Sequence, residues 1–164
     1  MEVRIILFRN FCLQTMFGVL AACVAHAADD PQAPGDFMLG GSFKAAQQHA
    51  LEQDWKLVSL SEGLPHQWIV EGSSVSLVVC DGIVVSISER LEGDLEEFAA
   101  LVFSMQAEFG KPDVQILSFR SGIGKISTID ARFDTDHGEA NVQLQSIGGE
   151  RTFSVNHRID TECH

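Results

Sequence analysis

The Asp81-Gly82 pair constrains this chain more than any other feature. It sits between two β-rich runs, Val75-Ser-Leu-Val-Val-Cys80 and Ile83-Val-Val-Ser-Ile-Ser88. A two-residue type I′ turn needs positive φ at both central positions, and Asp-Gly tolerates that, so a tight hairpin is expected. Such a turn pairs Cys80 with Ile83 and Val78 with Val85. Cys80, Val78, Ile83, Val85 and Ile87 then share one face, expected to be the core face, with Val75, Leu77, Val79 and Val84 on the other. An antiparallel hairpin must be extended by further strands and covered by something apolar, and the rest of the chain is read for both.

Strand signals recur on either side. Trp55–Leu60 and Gln67–Glu71 precede the hairpin, and Val114–Phe119 follows it, ending at the turn Ser121-Gly-Ile-Gly124. Ile129, Ala131 and Phe133 alternate with Asp130 and Arg132. Ala140, Val142 and Leu144 alternate with Asn141, Gln143 and Gln145. Phe153, Val155 and Ile159 alternate with Ser154, Asn156 and Arg158, and His157 falls on the apolar parity. Period-two alternation with one polar face marks an antiparallel sheet that is wet on one side.

Two helices are expected. Ser42 caps the first, which runs to about Gln53 with Phe43, Ala46, Ala50 and Leu51 as its apolar side. Asp94, with Glu97 three residues on, forms a capping box for the second. There Leu95, Phe98, Val102, Met105 and Phe109 recur at helical spacing, and Gly110 and Pro112 end the helix. The predicted class is α+β: a mainly antiparallel sheet of about six to eight strands with two helices packed on one face. The order helix, strands, helix, strands suits a duplicated helix-plus-sheet unit, although no residue-level repeat accompanies it.

The N-terminus reads as an export signal over residues 1–27. Arg4 and Arg9 outweigh Glu2, Phe11–Ala25 is mostly apolar, and Ala25-His26-Ala27 places small residues at a cleavage site. The apolar run is shorter than the roughly 20 residues of a membrane span. An alternative is Leu20-Ala21-Ala22-Cys23, which resembles the lipobox of bacterial lipoproteins and implies lipidation of Cys23. Residues 28–36, ADDPQAPGD, read as a linker, and 37–164 as one domain.

The chain has 11 Lys/Arg against 23 Asp/Glu, a formal net charge of −12, and removing the signal takes two arginines and one glutamate with it. So acidic a chain lacks the basic footprint of nucleic-acid binding and has no attraction to anionic lipid, so membrane contact is expected only through a lipidated Cys23. Of four cysteines, Cys12 and Cys23 lie in the signal. Cys80 and Cys163 remain, and an even pair in an oxidising compartment points to one disulfide.

The segment Phe37-Met-Leu-Gly-Gly-Ser-Phe-Lys-Ala-Ala46 resembles the Leu-Gly-x-Ser helix opening of small exported domains similar to β-lactamase inhibitor proteins and the outer-membrane assembly lipoprotein BamE. Phe109-Gly110-Lys111-Pro112 resembles the helix exit of related exported proteins. Gly41 departs from the Met or Gln usual in those families. The resemblance implies an exported α+β domain that binds another protein, and it transfers no functional residue.

Candidate sites are few. Asp134, Asp136 and Glu139 offer oxygens in a short polar turn, as calcium loops do. An EF-hand register fails, however, because its sixth position would be Glu139 rather than Gly and its twelfth Gln145 rather than Glu. His49, His66, His137, His157 and His164 have no metal-ligand spacing. No Gly-x-Ser-x-Gly occurs, Ser121-Gly-Ile-Gly-Lys125 is too short for a phosphate loop, and Cys80 on a strand is an inert thiol or a disulfide partner. No catalytic residue and no cofactor are expected. The expected function is a non-enzymatic periplasmic or secreted domain, with membrane anchoring through Cys23 as the alternative location. It would bind a protein or envelope component through its sheet face or hairpin turns. The alternative function is binding of a small ligand or divalent cation, using Trp55, Trp68 or the Asp134–Glu139 turn.

Overall fold

The computed structural model describes residues 34–161 except Glu62, together with Cys163. The signal segment 1–27, Cys23 and residues 28–33 of the linker lie outside the described residues. The last three residues read as linker, Pro34–Asp36, form a 3-10 turn in which Pro34 is buried.

Helix α1 spans Phe43–Glu52 and α2 spans Leu95–Phe109. Eight strands follow them in two runs of four: β1 Lys56–Ser61, β2 Leu64–Glu71, β3 Val75–Cys80 and β4 Ile83–Leu91 after α1, then β5 Asp113–Ser121, β6 Gly124–Thr135, β7 Gly138–Ile147 and β8 Glu150–Arg158 after α2. All pair antiparallel in one sheet of order β1-β2-β3-β4-β8-β7-β6-β5. Each helix thus precedes its own four-strand meander, and the meanders join edge to edge where β4 meets β8. The protein is α+β. Both predicted caps form: the Ser42 hydroxyl accepts from the Ala45 N–H at 3.2 Å, and Asp94 and Glu97 close a capping box.

The hairpin forms at Asp81-Gly82, and Cys80, Val85 and Ile87 of its expected core face are buried, but that face as a whole is not the one packed on the core. Cys80 does pair with Ile83, and Val79 with Val84. Val78, however, pairs with Ser86 rather than Val85. Val85 is the extra residue of a β-bulge, which shifts parity by one. As a result Val84 and Ile87, three apart, point the same way as Val75, Leu77 and Val79. These five form the core face, and Ile83 is exposed.

The core has two parts. Ala46 and Ala50 of α1 rest on Val70, Val75, Leu77, Val79, Val84 and Ile87, joined by Phe37. Phe98 and Met105 of α2 rest on Ala131, Phe133, Ala140, Val142, Phe153 and Val155. Burying each large side chain contributes about 1.5–3 kcal/mol. Small alanines on α1 and on β6 and β7 let helix and sheet approach closely.

The C-terminal tail continues the line of β8. The Ile159 N–H donates to the Val85 carbonyl at 3.0 Å, and Cys163 is disulfide-bonded to Cys80 with a Cα separation of 5.2 Å. The tail is thereby fixed beside the hairpin at the bulge.

Candidate functional site

Two places gather chemistry. The first is the polar parity of the adjacent strands β4, β8, β7 and β6. Antiparallel register sets its residues in rows across the sheet: Asp130 opposite Gln143, Gln143 opposite Ser154, and Ser154 opposite Arg90. A second row runs Arg132, Asn141, Asn156, Ser88 and Ser76. A third runs Thr128, Gln145 and Thr152. The apolar residues between them in sequence face the core, so these polar side chains share the other side.

They hold one another in place. The Gln143 side-chain amide donates to the Asp130 carboxylate at 2.9 Å, with Asn141 at 3.5 Å, and the Ser88 hydroxyl bonds to the Asn156 side chain. Asp130 is only 6% exposed and Thr128 8%, so neighbouring side chains wall them in. Within this network Arg132 Nε and Asn141 Oδ1 are buried and have no hydrogen-bond partner among the described residues. A buried donor and a buried acceptor left unpaired each cost about 1–3 kcal/mol unless something else bonds them.

The second place is a cavity of about 650 Å³ at one end of the sheet. Four segments build it: Asp36–Leu39, the end of α2 at Glu108 and Phe109, the β6–β7 turn with Asp134, Asp136 and Glu139, and the end of β8 with His157 and Ile159. Carboxylates form much of the rim, while Phe37, Leu39, Phe109 and Ile159 supply apolar wall. The C-terminal end of α2 adds partial negative charge. The Arg158 guanidinium meets Glu139 at 3.0 Å and neutralises part of the rim. His157 is half-buried, and loss of water lowers its pKa, which favours the neutral ring.

The structure therefore brings Asp134, Asp136 and Glu139 to one cavity. It does not make them a ligand triad: among the described residues, the three carboxylates whose oxygens lie within 4.8 Å of one another are those of Asp94, Glu96 and Glu97. That trio is exposed at the start of α2. The hydrogen bond between the Asp94 and Glu96 side chains lowers the pKa of the first and raises that of the second. Helix capping accounts for the arrangement.

Trp55 and Trp68 are half-buried against the first core. Trp55 stacks near Phe37 with centroids 6.2 Å apart, and Trp68 lies against Phe43 at 4.6 Å, both packed on the first core. His49 bonds the Gly35 carbonyl oxygen at 2.9 Å and His66 that of Val79 at 3.1 Å, which are structural uses. His137 lines the cavity, and His164 lies outside the described residues. Sequence reasoning placed a polar face on the sheet but missed how strand register joins its residues into rows. Their signal was present as Ser, Thr, Asn and Gln, rather than Lys and Glu, on the polar parity of three strands. No helix of the described residues is long and apolar enough to cross a membrane. No protein-family model, curated protein or solved structure matches this chain.

Proposed function

We propose that this is an exported binding domain that takes a protein or envelope component on the open polar face of its sheet. Register supports an open face. Ile87, in the core under α1, lies opposite His157, and two and four residues before His157 come Val155 and Phe153, in the core under α2. This register supports a placement of both helices on one side, with the polar rows uncovered. The observation that carries the proposal is the pair of buried, unpartnered atoms, Arg132 Nε and Asn141 Oδ1, within that network. A polar partner that displaces the side chains around them would complete their hydrogen bonds. Ser, Asn and Gln are suited to such adaptable polar recognition. The Cys80–Cys163 disulfide and the apolar, arginine-flanked N-terminus support export, and the resemblance of Phe37–Ala46 to exported protein-binding domains points the same way.

The test is a comparative pull-down from envelope extract. Ser154→Arg plants a bulky cation in the middle of the open face beside Arg90, while Ala100→Arg makes the same change on the exposed side of α2. A partner retained by the wild type and by Ala100→Arg, and lost with Ser154→Arg while circular dichroism is unchanged, supports the reading. Equal recovery with both variants, or recovery of nothing specific, refutes it.

The cavity favours a second reading, binding of an organic cation with an apolar body. Thermal-shift measurements with diamines and with Ca²⁺ separate the two versions, and no stabilisation by either removes this reading.

A further inference from the structure

The two edges of the sheet differ in a way that bears on assembly. An exposed edge offers unpaired N–H and C=O groups, and proteins that remain monomeric blunt such edges with short strands, lysines, prolines or bulges. Edge strand β1 is treated in this way: it has six residues, begins at Lys56, and its pairing with β2 is broken by an irregularity between Ser59 and Ser61. Edge strand β5 has none of these devices. It runs nine residues in unbroken register with β6, contains no proline or lysine, and is exposed at every position.

The exposed side chains of β5 are apolar on both sides of the strand. Val114 and Ile116 lie opposite Ala131 and Ile129, on the side that carries α2, and are 51% and 72% exposed. Leu117 and Phe119 face the other way and are each 54% exposed. Ile123, at the tip of the β5–β6 turn, is 70% exposed. The adjoining flank of α2 is also apolar. Leu101 and Glu108 line a pocket with Leu91 of β4 and Val155 of β8, so helical spacing places Leu95, Ala99 and Phe103 on the opposite flank of α2, away from β4 and β8. Leu95 and Phe103 are 52% and 77% exposed. Together these side chains leave the edge apolar on both sides of the strand, an exposed apolar edge of the kind that marks an interaction site.

We propose that the occupant of this edge is a second copy of the chain, with β5 paired antiparallel to β5 about a twofold axis at Leu117. Charge selects this edge for self-association. The chain carries a net charge of −12, so most surfaces repel a second copy, whereas β5 has one Asp and one Arg and is locally neutral. A register centred on Leu117 pairs all nine residues, sets Asp113 opposite Ser121 and Arg120 opposite Val114, and opposes no like charges. The twofold axis stands perpendicular to the sheet, so the apolar flanks of both α2 helices lie over the same side of the junction. The molecule already joins its own two meanders by such a junction, β4 against β8. The dimer would present two open polar faces on one side of a continuous sheet. Its existence does not depend on what those faces bind.

Sedimentation equilibrium of the purified exported protein tests this. The expected mass is that of two chains at low micromolar concentration. Leu117→Lys opposes two lysines at the axis and buries them, which raises the dissociation constant about a hundredfold or more with an unchanged circular dichroism spectrum. The hairpin at Ser121 and Gly124 makes Leu117 face its own copy as a non-hydrogen-bonded pair, with Cα atoms about 4.5 Å apart, within disulfide reach. Leu117→Cys therefore cross-links on oxidation, and Ser118→Cys, displaced from the axis, does not. A monomer at all concentrations, or a dimer that is indifferent to Leu117→Lys and uncrosslinked at position 117, overturns the proposal. A monomer that still loses its partner with Ser154→Arg overturns the dimer and leaves the open-face function standing.

Discussion

Gly138 opens β7 at the tightest place of any described glycine. Its φ is +150°, and a Cβ built there would lie 2.1 Å from the Arg158 carbonyl oxygen and 2.8 Å from the Ile159 Cα. Both obstacles are backbone, so no side-chain rotation relieves the clash. Gly138→Ala carries two costs. A non-glycine residue in that region of backbone space costs about 1–3 kcal/mol. Moving the end of β8 away breaks the bond from the Ile159 N–H to the Val85 carbonyl and disturbs the adjacent pairing of Glu139 with Arg158, at about 1 kcal/mol for each hydrogen bond lost. The sum is about 3–5 kcal/mol, which for a domain of this size lowers the melting temperature by roughly 10–20 °C. Two other alanines separate the causes. Gly149 has φ +100° with nothing within 4 Å, so Gly149→Ala carries strain alone. Gly122 has neither positive φ nor a neighbour within 4 Å, and Gly122→Ala is neutral or slightly stabilising. Thermal unfolding followed by circular dichroism ranks the three. A Gly138→Ala protein that melts within a few degrees of wild type, or no more destabilised than Gly149→Ala, refutes the reasoning.

Cys163→Ser releases a loop closed across 83 residues, and the lost chain constraint costs about 4 kcal/mol. Melting with and without reductant checks this, because reductant should lower wild type to the level of the variant and leave the variant unmoved. Leu77 is 1% exposed beneath α1, so Leu77→Ala costs about 2–5 kcal/mol in denaturant titration, whereas Ile116→Ala on the exposed edge costs little in the monomer. Burial holds the His157 pKa below its ordinary 6.5, so protonation favours the unfolded chain. The stability due to the neutral ring is whole above pH 6.5 and is lost as pH falls from there toward the lowered native value. Melting temperatures through that window should fall for wild type and flatten for His157→Gln. Parallel curves would assign the acid sensitivity to other groups.

Much of the fold was legible because local signals and long-range pairing agree. The caps at Ser42 and Asp94, the Asp81-Gly82 turn and the alternation over Ile129–Phe133 and Ala140–Leu144 rest on steric or hydrogen-bonding requirements of a few adjacent residues, and all appear in the structure. The core face of the hairpin was not legible, because the bulge at Val85 is set by long-range partners. β4 must present Ile87 to the core while it pairs with both β3 and β8, and three consecutive residues of one apolar character, Ile83-Val84-Val85, accept either parity without any local sign. The tryptophans were ambiguous for a related reason: an aromatic ring suits a ligand or a core equally well, and their packing on the first core is set by the position of α1, which no local pattern states.

The polar rows show what a strand pattern conceals. Along β6 the alternation states only that Asp130 and Arg132 point away from the core. That Asp130 meets Gln143 and Arg132 meets Asn141 depends on the β6–β7 register, which the turn at Gly138 sets. The same glycine brings Asp134, Asp136 and Glu139 to the cavity and seats the end of β8. Gly138→Ala therefore ought to disturb both candidate sites through one backbone displacement. Ser154→Arg ought to touch the open face alone and leave stabilisation by a cavity ligand unchanged. If both substitutions abolish partner recovery and only the first abolishes a thermal shift with an organic cation, the two sites are separate functions joined by one turn. If Ser154→Arg abolishes both, the cavity and the face belong to a single binding surface.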